Sequence, residues 1–130
     1  MRKFTHILTS FLVIAVLASC GKKECSDYHV GNFKYKDQNV AQASDIIIER
    51  TEDYHKESSE KENYEDTYSI TWTSDCEYYM VYKRTTNPSR MPFSEFDTIF
   101  ATITEVKENG YVFEALIRDK RPGNELIKID

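Results

Sequence analysis

The chain has few of the residues from which phosphate, metal and nucleophile sites are built. It holds 4 glycines, 3 cysteines and 3 histidines among 130 residues. Four glycines provide no Gly-rich loop to wrap a phosphate, and no serine lies in a G-x-S-x-G elbow. The histidines form neither H-x-H nor H-E-x-x-H, the spacings typical of zinc ligands. We therefore predict no catalytic residue, no metal site and no cofactor, and we expect the protein not to be an enzyme.

Positive charge is also scarce, because 22 acidic residues outnumber 17 basic ones and give a formal net charge of −5. Nucleic-acid binding depends mainly on Lys and Arg neutralising phosphates, so a nucleic-acid partner is excluded. The same balance argues against a polybasic attraction to anionic lipids. Hydrophobic residues make up 40% and aromatic residues 13% of the chain, which is enough for one packed core.

The sequence has no hydrophobic run long enough to span a membrane permanently. Residues 7–18 are apolar apart from Thr9 and Ser10, and as a helix they would cover roughly 18 Å. A bilayer core requires about 20 apolar residues. Because Arg2 and Lys3 precede this stretch, we interpret residues 1–19 as an export signal peptide.

The run Leu17-Ala18-Ser19-Cys20-Gly21 resembles the lipobox of bacterial lipoproteins. The resemblance implies cleavage before Cys20 and acylation of that cysteine, including palmitate. Cys20 would thus attach the protein to a membrane through a lipidated tether, residues 20–27. Gly21 is not the Asp of inner-membrane retention, so we expect a lipid-anchored protein of the bacterial cell envelope, at the outer membrane. Lys22-Lys23-Glu24 resembles a surface-export signal or is a plain polar tether, which leaves the side of the membrane open.

Two cysteines, Cys25 and Cys76, remain once Cys20 is assigned to lipidation. Export places them in an oxidising compartment, where an even pair usually forms a disulfide. We therefore predict a bridge that ties the start of the domain to a central strand. The alternative is a catalytic Cys76 assisted by His29 or His55, which lacks any recognisable nucleophile motif.

Residues 28–130 read as a single all-β domain, because apolar residues alternate with polar ones and no long helical period occurs. Asn109-Gly110 between two apolar runs predicts a hairpin, and residues 121–124 predict a second turn. The charged stretch 52–66 is interpreted as an exposed hairpin. Seven or eight strands in order predict an antiparallel meander, either a lipocalin-like small barrel or a curved open sheet. The other predicted strands are 30–36, 45–51, 67–74, 77–85, 97–107, 111–118 and a last one around Leu126.

The aromatic residues admit two interpretations. In the first they fill the core of a small β domain. In the second, some of them line a cavity or groove for an apolar or sugar ligand, because tyrosine offers a flat face and a polar tip. The candidate ligand-binding residues are Tyr35, Trp72, Tyr78 and Tyr82, within a wider set that also includes Phe33, Phe100, Tyr111 and Phe113.

A cysteine followed by the aromatic strand Gly31-Asn32-Phe33, together with Trp72-Thr73-Ser74-Asp75-Cys76-Glu77-Tyr78, resembles small lipoproteins of Bacteroidota. The resemblance covers most of residues 25–130 and implies a location and a disulfide, without an activity. Some of those proteins carry the name DNA topoisomerase IV. That name does not fit this sequence, because a topoisomerase is a large, basic, cytoplasmic protein of several domains.

These observations predict a non-enzymatic envelope lipoprotein that acts as a binding or interaction module for an unidentified protein or small hydrophobic ligand. The alternative is a lipocalin-like carrier of a small hydrophobic molecule. The two differ in the interior of the domain. A carrier requires a closed barrel with an apolar cavity, whereas an interaction module requires a filled core and an exposed apolar patch.

Overall fold

The computed structural model describes residues 21–37, 45–90 and 97–130, which form eight antiparallel strands in a closed barrel. Each strand pairs with the next along the chain, and the last pairs with the first. The predicted all-β meander is confirmed, in its barrel form. The predicted signal peptide 1–19 and Cys20 lie outside the described residues. The strands are β1 (Gly31–Tyr35), β2 (Ile47–Arg50), β3 (Tyr54–Ser59), β4 (Tyr64–Ser74), β5 (Glu77–Thr85), β6 (Thr98–Val106), β7 (Gly110–Ile117) and β8 (Gly123–Lys128).

The core lies inside the barrel and follows the two-residue period of the strands. Along β4, alternate residues from Tyr64 to Ile70 are buried, while the residues between them are partly exposed. This is the alternation of a strand with one face on the core. Phe100 is an exception among the aromatic residues, because it is 54% exposed on β6 beside Tyr79. The interpretation of Phe100 as a core residue was therefore wrong.

The charged stretch 52–66 forms the predicted hairpin, but the hairpin is not an exposed one. It comprises β3 and the start of β4, and both strands are full members of the barrel. His55, Ser59 and Asp66 on these strands are buried. The expectation of exposure was wrong because the inward side chains here are polar, so no apolar alternation marks the buried face.

The hairpin predicted at Asn109-Gly110 is present, since β6 ends at Val106 and Lys107 N donates a 2.8 Å hydrogen bond to Gly110 O. Gly110 does not adopt a positive φ. A Cβ at this position would lie 1.9 Å from the carbonyl oxygen of Leu126. Glycine is therefore required here by the close approach of β8. The second turn lies earlier than predicted, because Arg118 takes the positive φ of 56° and β8 already begins at Gly123.

One end of the barrel, the closed end, is covered by the segment that precedes β1. Cys25–Tyr28 form a 3₁₀ turn there, and the Tyr28 side chain is buried. Its hydroxyl donates to the carbonyl oxygens of Lys107 (2.6 Å) and Glu108 (2.9 Å) in the β6–β7 turn. The predicted disulfide between Cys25 and Cys76 is confirmed and joins the 3₁₀ turn to the β4–β5 turn.

The opposite end, here called the far end, is where β1, β3, β5 and β7 finish and where β2, β4, β6 and β8 begin.

Residues 21–37, 45–90 and 97–130 contain no helix that is long and apolar enough to span a membrane.

Candidate functional site

A cavity of about 270 Å³ lies in the far half of the barrel. It is at the small end of ligand pockets, which run from about 300 to about 1,000 Å³. A dry cavity of about 150 Å³ is known to take benzene, so this one has room for about eleven non-hydrogen atoms. The apolar wall consists of Ile46, Met80, Ile99, Ala101, Ala115, Ile117 and Leu126, and the aromatic wall of Tyr35, Tyr68, Tyr78 and Phe113.

Two alanines help to make the space. Ala101 on β6 and Ala115 on β7 are direct cross-strand partners, and both face inward with 3% and 6% exposure. Elsewhere in the interior the strands place large side chains, such as Tyr68 and Met80. A methyl group at both members of one pair leaves volume that larger side chains would fill.

The polar wall of the cavity is a chain of hydrogen bonds that crosses from β1 to β3 and β2. Tyr35 donates its hydroxyl to Glu57 Oε1 at 2.9 Å, and His55 Nε2 lies 3.0 Å from the same oxygen. On its other side, His55 Nδ1 accepts from Arg50 Nε at 3.3 Å. An arginine only donates, so Nδ1 carries no hydrogen and Nε2 carries the proton that goes to Glu57.

Burial and these hydrogen bonds together determine the charge states of His55, Glu57 and Tyr35. Burial, together with the neighbouring Arg50 charge, lowers the pKa of His55 despite the bond to Glu57, so His55 is neutral at neutral pH. Burial acts to raise the pKa of Glu57, but hydrogen bonds from His55 and Tyr35 outweigh it and the pKa is lowered. Burial and the charge of Glu57 raise the pKa of Tyr35 well above its ordinary value. The polar wall of the cavity therefore presents the phenol of Tyr35, the carboxylate of Glu57 and the neutral imidazole of His55.

Arg50 separates the cavity from the closed end. Its side chain is 1% exposed, and its guanidinium lies 4.9 Å from the ring centroid of Phe33 and 5.1 Å from that of Tyr78. Nη1 donates to Tyr28 O at 3.1 Å. Within the described residues no carboxylate forms a salt bridge with Arg50. Ring faces and hydrogen bonds therefore accommodate its charge, as cation–π contacts do elsewhere.

A second group of polar side chains lies next to Glu57, on β4 and in the segment after β5. Asp66 is fully buried, and its Oδ2 lies 3.3 Å from Arg90 Nε. The guanidinium of Arg90 lies 3.3 Å from the ring centroid of Tyr64. Asp66 Oδ1 and the Tyr64 hydroxyl are buried without a hydrogen bond among the described residues. Arg90 itself lines the cavity.

The four candidate ligand-binding residues occupy different places. Tyr35 and Tyr78 line the cavity, whereas Trp72 and Tyr82 are not among its lining residues. Trp72 lies near the closed end, where the His29 ring stacks on it at 3.6 Å between centroids. Tyr82 faces inward and packs edge-on against Tyr68 at 5.8 Å.

Sequence reasoning missed His55 and Glu57 as lining residues, although their i, i+2 spacing on one strand was a usable signal. The rival interpretation of Cys76 as a nucleophile is wrong, because its sulfur is bonded to Cys25. Among the residues that the structure describes, no three His, Cys, Asp or Glu side chains are grouped to hold a metal ion. Comparison with protein-family models, with curated proteins and with solved structures gives no match.

Proposed function

We propose that this protein is a carrier that encloses one small, mainly apolar molecule inside its barrel. The observation that supports the proposal is the cavity of about 270 Å³, most of whose lining residues are apolar or aromatic. Small-molecule sites are typically concave, mostly apolar and oriented by a few polar groups. Tyr35, His55 and Glu57 are such groups here. An interaction module without a ligand would have no use for interior space, so the carrier ranks first and the module second.

We further propose that the carrier works at the bacterial envelope, attached through the acylated Cys20. Cys25 is held at the closed end by its disulfide, and only five positions separate it from Cys20. Since an extended chain spans at most about 3.5 Å per residue, the closed end would lie within roughly 18 Å of the anchor. The far end, near which the cavity lies, would then be directed away from the membrane. This orientation suits exchange of a ligand with the surrounding compartment.

Native mass spectrometry tests the carrier proposal. The protein is isolated without detergent exchange from cells that make it, and its non-denatured mass is compared with its denatured mass. The proposal predicts one extra small molecule per chain, released on denaturation and soluble in organic solvent. A non-denatured mass equal to that of the chain alone, in preparations saturated with extracted cell lipids and metabolites, contradicts it.

A further inference from the structure

A fully buried carboxylate, Asp66, lies opposite a partly buried one, Glu57, and of the two it is Glu57 that lines the cavity. Glu57 on β3 and Asp66 on β4 are direct cross-strand partners, and both side chains lie on the inward faces of their strands. The Asp66 side chain is 1% exposed and that of Glu57 is 16% exposed. Like charges directly opposite each other across two strands repel and destabilise the pair. Such a pair therefore requires compensating positive charge.

Within the described residues, one cation forms a salt bridge with this pair of carboxylates without a neutral residue between them. Arg90 reaches Asp66 Oδ2 from the segment after β5, and its side chain is 34% exposed. Its guanidinium also covers the ring of Tyr64. Arg50, the other interior cation, lies behind the neutral imidazole of His55 and donates to His55 and to Tyr28 O. Two carboxylates therefore share one adjacent arginine, in a place that already accommodates a cation over an aromatic ring.

Both carboxylates also keep unused acceptor capacity. Asp66 Oδ1 is buried and has no hydrogen-bond partner within the described residues. Glu57 receives the donors of Tyr35 and His55 on the same oxygen, Oε1, and no hydrogen bond to its Oε2 is found among the described residues. A buried acceptor without a partner is unfavourable, and more so when it is charged. A donor brought by a ligand would remove that cost.

We infer that the ligand carries a protonated amine, held by the carboxylate of Glu57 in the cavity wall and favoured by the neighbouring carboxylate of Asp66, on an apolar body of about ten carbon atoms. An ammonium group supplies three donors and one positive charge, which matches the unused acceptors and the excess carboxylate. The aromatic face of Tyr68 adds a favourable surface for a cation. A ligand carboxylate would instead be placed against Glu57. This inference rests on the proposed carrier function and specifies the chemical class of its ligand.

A matched series of three compounds tests the inference. We would titrate the purified full chain calorimetrically with 4-phenylbutylamine, 4-phenylbutan-1-ol and 5-phenylpentanoate, which share one phenylbutyl body and differ in the charge of the head. The amine is expected to bind about tenfold more tightly than the alcohol, since a hydrogen bond to a charged group adds about 1.5 kcal/mol. The carboxylate is expected to bind most weakly.

Variants test whether Glu57 is responsible for the preference for the amine over the alcohol. Glu57→Gln keeps the shape of the side chain and should remove most of the preference for the amine over the alcohol, because only the neighbouring carboxylate of Asp66 remains. Glu65→Gln, on the outward face of β4 next to Asp66, should retain the preference.

Each result then has a definite meaning. Equal binding of amine and alcohol by the unmodified chain, or tightest binding of the carboxylate, overturns the amine while leaving the carrier intact. A preference of undiminished size in a folded Glu57→Gln variant also overturns the inference. If none of the three compounds binds, the carrier proposal itself fails. Even if the Glu57→Gln variant does not fold, the three titrations of the unmodified chain show which charge on the head of the ligand is preferred.

Discussion

Arg50 Nε lies 3.3 Å from His55 Nδ1 inside the barrel, and this contact joins the closed end to the cavity wall. Arg50 is held by ring faces and neutral acceptors, without a carboxylate partner among the described residues. The closed end and the polar wall of the cavity are therefore one connected structure, and disturbing the guanidinium should affect both.

Replacing Arg50 by Met should destabilise the fold strongly. The change leaves Tyr28 O and His55 Nδ1 without their donors, and each such loss costs about 1–3 kcal/mol. We therefore expect the free energy of unfolding in urea to fall by about 3 kcal/mol. Arg84→Met provides the matched control, because Arg84 is exposed on β5, and it should change stability by less than about 0.5 kcal/mol. Equal effects of the two changes would contradict the role given to Arg50.

Acid should destabilise the protein through His55. The unfolded chain takes up a proton on this histidine below about pH 6.5, whereas the folded chain resists it because its pKa is lowered. Stability contributed by the neutral His55 is therefore complete above about pH 6.5 and is lost as pH falls towards the folded pKa. Glu57, whose pKa is also lowered, adds a similar loss only at pH values below about 4.5.

The measurement for this effect is the thermal midpoint followed by circular dichroism from neutral pH to about pH 5. The unmodified chain should lose stability over that range. His55→Gln should flatten the dependence, because the group whose pKa is lowered by burial is then absent. A pH dependence that survives in His55→Gln would show that another group is responsible.

Gly110 and Gly123 should respond differently to alanine. A Cβ at Gly110 would lie 1.9 Å from Leu126 O, a backbone atom, so β7 and β8 would have to separate locally. At Gly123 the nearest atom would be Phe113 O at 3.4 Å, an ordinary contact. We expect Gly110→Ala to lower the free energy of unfolding by about 1–3 kcal/mol and Gly123→Ala to leave it nearly unchanged. A tolerated Gly110→Ala would contradict the close approach of the two strands.

Cys20 should be the only cysteine needed for membrane attachment. Cys20→Ala should move the chain from the membrane to the soluble fraction and abolish labelling by radioactive palmitate. Cys76→Ala should keep the label but remove the disulfide, and with it about 4 kcal/mol of stability for a loop of 51 residues. Retention of label in Cys20→Ala would contradict the lipid anchor.

The parts of the fold that could be predicted from the sequence are those where apolar residues alternate. Ile70 and Trp72 against Ser69 and Thr71 indicated β4, and the count of three cysteines indicated the disulfide. The strand β3 gave no such signal, since its inward residues are His55, Glu57 and Ser59. These side chains are buried through contacts with residues that are distant in the sequence. The strand propensity of a residue type carries no information about such contacts.

The site was less predictable than the fold for a similar reason. Tyr35 and Trp72 look alike as aromatic strand residues, but β1 places Tyr35 at its far end and β4 places Trp72 near the closed end. Which end is blocked depends on the 3₁₀ turn and its disulfide. The space itself comes from Ala101 and Ala115, whose pairing requires the register of β6 and β7.

If the ligand is bound inside the barrel, filling the cavity should abolish binding. Ala115→Leu adds three carbon atoms inside the barrel, and Thr102→Leu places a leucine on the outer face of β6 as control. With 4-phenylbutan-1-ol as a neutral probe, calorimetry should show one site per chain in the unmodified protein and in Thr102→Leu. Ala115→Leu, folded by circular dichroism, should bind at least about tenfold more weakly. Undiminished binding by Ala115→Leu would contradict the account, because the molecule would then be bound outside the barrel.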